Sequence, residues 1–272
     1  MSFVMDNFTH SVAQHISKCN AAYTLTAMNE TPFPVVQATD KNIAFHLVEL
    51  DTCLHLQKNM DRYFFSQLSA QFERRGVQLV HLWEDVWRRQ RSLVESRIAV
   101  LLGNFKRYHA RQTTVKSIAN PVLKQFLQQH HLQVAINGRY KYGLFLNDEL
   151  LAVASFSTVC PIDRSGEIYR SYELLRFANQ AGCVVAGGLS KLLAHFIAQQ
   201  QPDDIMTYAD CDWGTGRGYR QLGFAQVGIL APQPFLVNTT TFERHYAGRA
   251  NITNDTITCY NSGSYKFVKL LK

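Results

Sequence analysis

The 272-residue sequence predicts an α/β (α+β) fold, with a mixed twisted sheet following a smaller N-terminal α/β unit. Three observations carry this. Residues 60–104 run helix, strand, helix. Residues 140–158 hold two apolar runs around Asn147-Asp148, the pattern of a β-hairpin. Residues 171–210 run strand, glycine pair, amphipathic helix, strand, and strands joined by a crossover helix imply a mixed sheet.

In chain order, residues 1–30 are polar with weak periodicity and read as a mixed arm. "NIAFHLVEL" (42–50) is β-branched and apolar, a buried strand. "MDRYFFSQLSAQFERRG" (60–76) spaces its apolar residues helically and stops at Gly76; "VQLVHLW" (77–83) is a strand; "SLVESRIAVLLGN" (92–104) is a helix stopping near Gly103. "FKRYHARQ" (105–112) changes character and reads as a link, dividing the chain into domains 1–104 and 108–272. Beyond it, "NPVLKQFLQQHHL" predicts a helix with Asn120 as cap and Pro121 in its first position. After the hairpin come the strand "SYELLRFA", the loop "VVAGG", a helix to about Gln200, and the strand "DIMTYAD" (204–210), expected to be central. "GRGYRQLGF" (216–224) is a short helix running into a turn, and "AQVGIL" and "KFVKLL" are further strands.

Bulk composition narrows the function classes. The chain is 46% hydrophobic and 18% charged, with no apolar run of membrane-helix length. The first residues lack a basic stretch followed by an apolar one, so a cytoplasmic, signal-free protein is expected. Six scattered cysteines form no C-x-x-C pair, which argues against a disulfide scaffold or a zinc site. The net charge is +7, split +2 over 1–107 and +5 over 108–272, with basic clusters at 73–77, 87–91 and 105–111. Such a surface attracts phosphate backbones or serves as a solubilising face.

Several residues are candidates for chemistry, each with a plainer alternative. Gly187 and Gly188 at a helix mouth, with Leu189, Ser190 and Lys191, form either a tight turn or an anion cradle of backbone N–H groups, a hydroxyl and a cation. Tyr208 and Asp210 end a central strand, where ligands gather in open sheets; Asp210 is a proton acceptor or a turn cap. Asp212 and Trp213 follow on the loop, where Trp213 stacks on a base or packs inward. Glu173 is a second base candidate, but strand alternation puts Arg176 on the opposite face unless the strand bulges. His130 and His131 point about 100° apart on a helix, so a cap or a substrate contact fits them better than one metal. Trp83, Glu84, Asp85 and Trp87 read as packing, with Trp83 and Trp87 on one helix face.

This order of elements resembles the GNAT-type N-acetyltransferase fold, over residues 110–230. In that family a loop of form Q/R-x-x-G-x-G/A, between the fourth strand and a helix, binds the pyrophosphate of acetyl-CoA. "VAGGLSKLL" keeps the glycines without the full pattern, while Tyr219, Leu222, Gly223 and Phe224 carry the family's Y-x-x-L-G-F. "YELLRFA", "VVAGGLSKLLAHFI" and "MTYADCDWGTGRGYRQLGF" are similar to the GNAT-like domain of homing-endonuclease-related and phage Mom-like proteins, in which a Vsr-like nuclease domain often precedes it. Residues 74–98 are similar to the end of that nuclease domain, but His46 stands where a catalytic acid belongs, so a degenerate unit without cleavage chemistry is implied.

The resemblance implies an acyltransferase using acetyl-CoA or another acyl donor, an aminoacyl-tRNA included. A nucleic-acid base or aminoacyl group would be the acceptor. Gly187, Gly188, Leu189, Ser190 and Lys191, with Arg176 on the strand before them, would hold the donor; Asp210 or Glu173 would serve the amine, Tyr208 would donate a hydrogen bond to a carbonyl oxygen, and Tyr219 would protonate the leaving thiolate. Nucleic acid is the expected partner. The alternatives are a non-catalytic nucleic-acid-binding protein and an acetyltransferase of a small amine or a protein.

Overall fold

A computed structural model describes residues 8–56, 60–164, 166–246 and 255–272; the first seven residues of the N-terminal arm lie outside this set. The chain forms two compact units. The first contains residues up to Ile98 with Ala209–Thr215 and Ile229–Tyr265; the second contains Ala99–Tyr208, Gly216–Gly228 and Lys266–Lys272. The sequence suggested one cut between 104 and 108. The structure divides the chain at Ile98 and returns two later segments to the first unit.

The first unit begins with α1 (Phe8–Lys18), β1 (Tyr23–Met28), β2 (Thr31–Ala38), β3 (Ile43–Val48), α2 (Leu50–Leu56), α3 (Phe64–Arg74), β4 (Gln78–Trp83), α4 (Glu84–Arg89) and α5 (Arg91–Leu101). Its sheet has the order β1-β2-β3-β4. β3 and β4 are parallel, joined across α3, whose Phe65, Leu68 and Phe72 are buried on one stripe. The stretch read as an arm is in fact α1 and a hairpin. β1 lies at the sheet edge and is mostly exposed, so it shows no burial alternation. β2 carries Pro32 and Pro34, which lie ahead of Val35, where its ladder to β3 begins.

The second unit contains β5 (Lys106–His109), a short 3-10 turn (Ala110–Gln112), β6 (Thr114–Ser117), α6 (Asn120–His130), β7 (Tyr140–Leu146), β8 (Glu149–Phe156), β9 (Cys160–Arg164), β10 (Glu167–Asn179), β11 (Cys183–Ala186) and α7 (Gly188–Gln200). Then follow β12 (Asp204–Asp210), α8 (Arg217–Gln221) and β13 (Ala225–Leu230). The hairpin forms as read: Asn147 and Asp148 both have positive φ, and Leu146 pairs with Glu149. The cap of α6 is Ala119 rather than Asn120; the Asn120 amide donates to Asn137 Oδ1 at 2.8 Å instead.

Three further strands, β14 (Pro234–Asn238), β15 (Arg244–Tyr246) and β16 (Thr256–Tyr260), make an antiparallel sheet in the order β15-β14-β16. Phe235, Val237, Ile257 and Cys259 from it pack with Phe33, Val48, Leu50, Phe65 and Trp83, so these late residues complete the first unit's core. The last strand, β17 (Ser264–Leu270), joins a mixed eight-stranded sheet of order β13-β17-β12-β10-β8-β7-β6, with β9 on β10. β12 is interior, as its apolar sequence required. α7 buries Leu192, Leu193 and Phe196, and Phe196 stacks on Phe156 of β8 with ring centroids 3.9 Å apart.

Candidate active site

The site starts where two strands part. β10 and β12 run parallel and are paired only over Ser171–Glu173 and Asp204–Met206. Beyond Glu173 the ladder stops, and the Leu174 carbonyl instead accepts the Thr207 hydroxyl at 2.9 Å. On its other side β10 bulges: Leu174 opposes Phe156 and Arg176 opposes Ser155, leaving Leu175 as an extra residue. The bulge resets side-chain alternation, so Glu173 and Arg176 come to one face, the condition the sequence had left open.

Glu173 is half-buried on this strand. Its N–H donates to Ser157 Oγ at 2.9 Å, and its carbonyl accepts the Ser157 N–H. Burial pushes its carboxyl above the usual glutamate range, while the charges of Arg176 and Lys266 pull the other way. Tyr208 on β12 is raised in turn, by burial first and then by the Glu173 charge. The Arg176 guanidinium donates to the carbonyls of Leu175 and Val134, so it braces the bulge.

At the glycine pair, Gly187 has φ +76° and its carbonyl accepts the first helical bond of α7, from Lys191 N–H at 3.0 Å. No side chain caps this helix mouth, and Ser190 is exposed beside it. Gly188 is buried for a different reason. A Cβ there would stand 3.1 Å from Val185 Cβ and 3.2 Å from Leu144 Cδ1. One glycine thus serves a turn and the other a close approach.

Lys191 needs a correction. Its ammonium donates to the carbonyls of Ala110, at 2.9 Å, and Thr113, so it ties the short turn after β5 to α7 and is not held out as a phosphate ligand. The sequence also hid a set of residues here. The segment read as a link forms β5, paired in parallel with β11: Arg107 stands beside Val184 and His109 beside Ala186. Val184 occupies the place where the loop pattern would have Q or R. Arg107, His109 and Arg111 are exposed along this flank. Only the pairing reveals them; the signal in the sequence was the basic cluster at 105–111.

Other candidates settle into structural roles. The Asp210 carboxylate accepts the Asp212 N–H at 2.9 Å and its carbonyl the Gly214 N–H at 3.1 Å, an Asx turn that selects the capping reading. Tyr219 packs its ring against Phe224 and Phe267, with centroids 5.7 and 5.5 Å away. His130 Nδ1 accepts the Ala181 N–H and His131 Nδ1 the Gln133 N–H, so both histidines are local caps.

In the first unit, Trp213 is buried under the Arg97 guanidinium, which corrects the base-stacking reading. Asp212 is buried too, accepting the Trp83 indole N–H at 3.0 Å and the Ser262 N–H at 2.9 Å. Trp83 ends β4, so it shares no helix face with Trp87. Asp85, only 1% exposed, holds Arg244 through two 2.8 Å bonds, and Glu84 pairs with Arg88. Several of the basic residues at 73–77 and 87–91 are likewise paired, Arg75 with Glu30, Arg89 with Glu243 and Arg91 with Glu95. His46 is fully buried and lies 2.9 Å, Nδ1 to Nδ1, from His81, its register partner on β4.

No family model and no curated protein matches the sequence. Among solved structures, the chain is similar to the ribosomal-protein-S18-alanine N-acetyltransferase of Escherichia coli, with 15% identity, 59% of this chain and 94% of that one covered, and a TM-score of 0.39. A GNAT family acetyltransferase from Elizabethkingia anophelis with acetyl-CoA bound gives 13% identity, coverage of 59% and 99%, and a TM-score of 0.34. A Bacillus subtilis acetyltransferase in complex with CoA gives 12%, the same coverages and a TM-score of 0.35.

Proposed function

We propose that the second unit is a GNAT-like acyltransferase domain that transfers an acyl group to an amine carried by a nucleic acid. The observation that carries this is the parting of β10 from β12 at Glu173, with a bulge at Leu175 and a Glu173–Tyr208 pair at the fork. A bound acyl-CoA-type donor would supply a thioester-activated acyl group. The N–H groups at the mouth of α7, the Ser190 hydroxyl and the exposed Arg107 would hold its phosphates, in chemistry suited to that anion. Glu173 takes the proton of the attacking amine, and burial, by raising its pKa, makes it a stronger base than an exposed glutamate. Tyr208, kept protonated, donates a hydrogen bond at the fork.

The nucleic-acid acceptor rests on the net charge of +7 and on the basic flank of β5 beside the glycine turn. We read the first unit as a nuclease-fold remnant that holds nucleic acid without cutting it. Duplex bases would have to be flipped or already single-stranded. A second reading, acetylation of a small amine or a protein, is favoured by one observation: Trp213, the residue suited to base stacking, is packed inside.

The first test is donor binding. Acetyl-CoA at about 100 times its Kd should stabilise the chain by about 2.7 kcal/mol, and Arg107→Ala should weaken binding about tenfold, the loss of one charge-assisted contact. No thermal shift at saturating donor would remove the enzyme reading. Nucleic-acid affinity that falls steeply with salt supports the acceptor, and salt-independent or absent binding favours the second reading. Nicking of DNA with magnesium or manganese that disappears in His46→Ala would overturn the remnant reading.

A further inference from the structure

The first unit contains a small cavity that the proposed transferase chemistry does not use. It is bordered by Cys53 on α2, Cys259 on β16, Met60, Phe65, Trp83 and Asp61, and encloses about 20 Å³. That is room for one water-sized occupant. Cys53 and Cys259 are 4% and 6% exposed, and both side chains line this one cavity. Met60 is half-buried and Asp61 exposed, so the floor is sulfur and aromatic rings while the rim meets solvent. An occupant therefore has an entry path.

We propose that this cavity is a site for a soft monovalent d10 cation, copper(I) or silver(I) in class, bound between the sulfurs of Cys53 and Cys259 with the Met60 thioether as third donor. Thiolate and thioether sulfur select such ions over harder ones. The one carboxylate on the rim, Asp61, accepts the Tyr63 N–H at 2.9 Å, holding its own turn. Among the described residues no group of three or more His, Cys, Asp or Glu side chains is placed to hold a metal, so the four-ligand set that zinc requires is lacking there. A disulfide is the other chemistry open to two thiols on one cavity, and it needs a two-electron oxidant, which binding of the ion does not.

The step balances without a redox partner. The ion enters, one S–H bond breaks heterolytically, and its proton leaves to water as the metal–sulfur bond forms. The second sulfur and Met60 donate lone pairs and keep their substituents. One positive charge replaces another, so the apolar walls gain no net charge.

The test titrates the reduced full chain with copper(I), without oxygen, against the chelator bicinchoninate. Expected is one copper withdrawn per chain, one proton released, and quenched tryptophan emission, since Trp83 borders the cavity. Cys53→Ser and Cys259→Ser should each weaken binding about 100-fold, and Met60→Leu about tenfold, as expected for lost ligands of a soft site. Exposed Cys160 is the control thiol, and Cys160→Ser should change nothing. If the serine variants do not fold, Met60→Leu, which leaves the thiol pair in place, decides alone. Wild type that withdraws no copper, thiol variants that withdraw as much as wild type, or a folded Met60→Leu of unchanged affinity each overturns the proposal.

Discussion

Glu173 does its work through its surroundings. A half-buried carboxylate loses hydration, so its proton is held more tightly than on an exposed glutamate. As the base must be ionised to act, kcat/KM should rise with pH through a limb above the ordinary glutamate range. Glu173→Gln should lose about 10²–10⁴ in rate and flatten that limb; a variant with full rate and an unchanged profile would relieve Glu173 of the role. Lys191 belongs to another category. Removing its bonds to Ala110 and Thr113 in Lys191→Met should cost about 1.5 kcal/mol of stability, the low end for charged hydrogen bonds at a half-buried site. Donor affinity should change less than threefold, measured by calorimetry on the folded variant. The sequence offered Glu173 as a base candidate on its strand and Lys191 as a cation at the glycine turn. It could not say which way Lys191 reaches, because a long flexible side chain takes its partner from the tertiary neighbourhood.

At the scale of elements, β3 and β4 share a buried polar chain. The Phe65 carbonyl, 3.1 Å from His81 Nε2, can only accept, so that nitrogen carries hydrogen and His81 Nδ1 accepts. His46 Nδ1–H then donates to it, and His46 Nε2 accepts the Thr31 hydroxyl at 2.7 Å. Protonating His81 at Nδ1 sets two N–H groups face to face, and protonating His46 at Nε2 turns an N–H against the Thr31 hydroxyl that had donated to it. Burial accordingly holds His46 well below its usual range and His81 at about 3. Both pKa values are lower folded than unfolded, so the unfolded chain binds more protons below pH about 6.5. Stability is whole above that pH and falls as pH drops towards the folded values, by about 1.4 kcal/mol per pH unit for each histidine. Buried Asp212 is raised and opposes this slope. Urea unfolding of wild type and His46→Leu/His81→Leu between pH 7 and 5 isolates the histidines; equal slopes would refute the account. The sequence singled out His46 alone, as standing where a catalytic acid belongs. Its pairing with His81 came only with the β3–β4 register.

For the whole molecule, the discontinuous first unit is the feature with consequences. Residues 1–104 alone lack Phe235, Val237, Ile257 and Cys259 from the core, and the Arg244 partner of buried Asp85. An unpartnered buried charge costs about 3–5 kcal/mol, comparable with the whole stability of a small domain. The fragment 1–104 should therefore show no cooperative thermal transition, and residues 108–272 should fail likewise, since β11 loses Lys106 and Arg107 from its partner strand. A sharp melting curve from either fragment would contradict this division of the chain. No helix among the described residues is long and apolar enough to cross a membrane.

Local chemistry settled much of this protein in advance. The Asn147-Asp148 hairpin, the apolar stripe of α3, the interior strand β12 and the glycine pair before α7 follow from backbone sterics and hydrophobic period, which act within a few residues. Tertiary structure decided the rest. The Leu175 bulge brings Glu173 and Arg176 together, β5 sets Arg107 beside Val184, and residues 229–265 return to close the first core. Each of these is a pairing between distant segments, and its free energy appears only when both partners are in place.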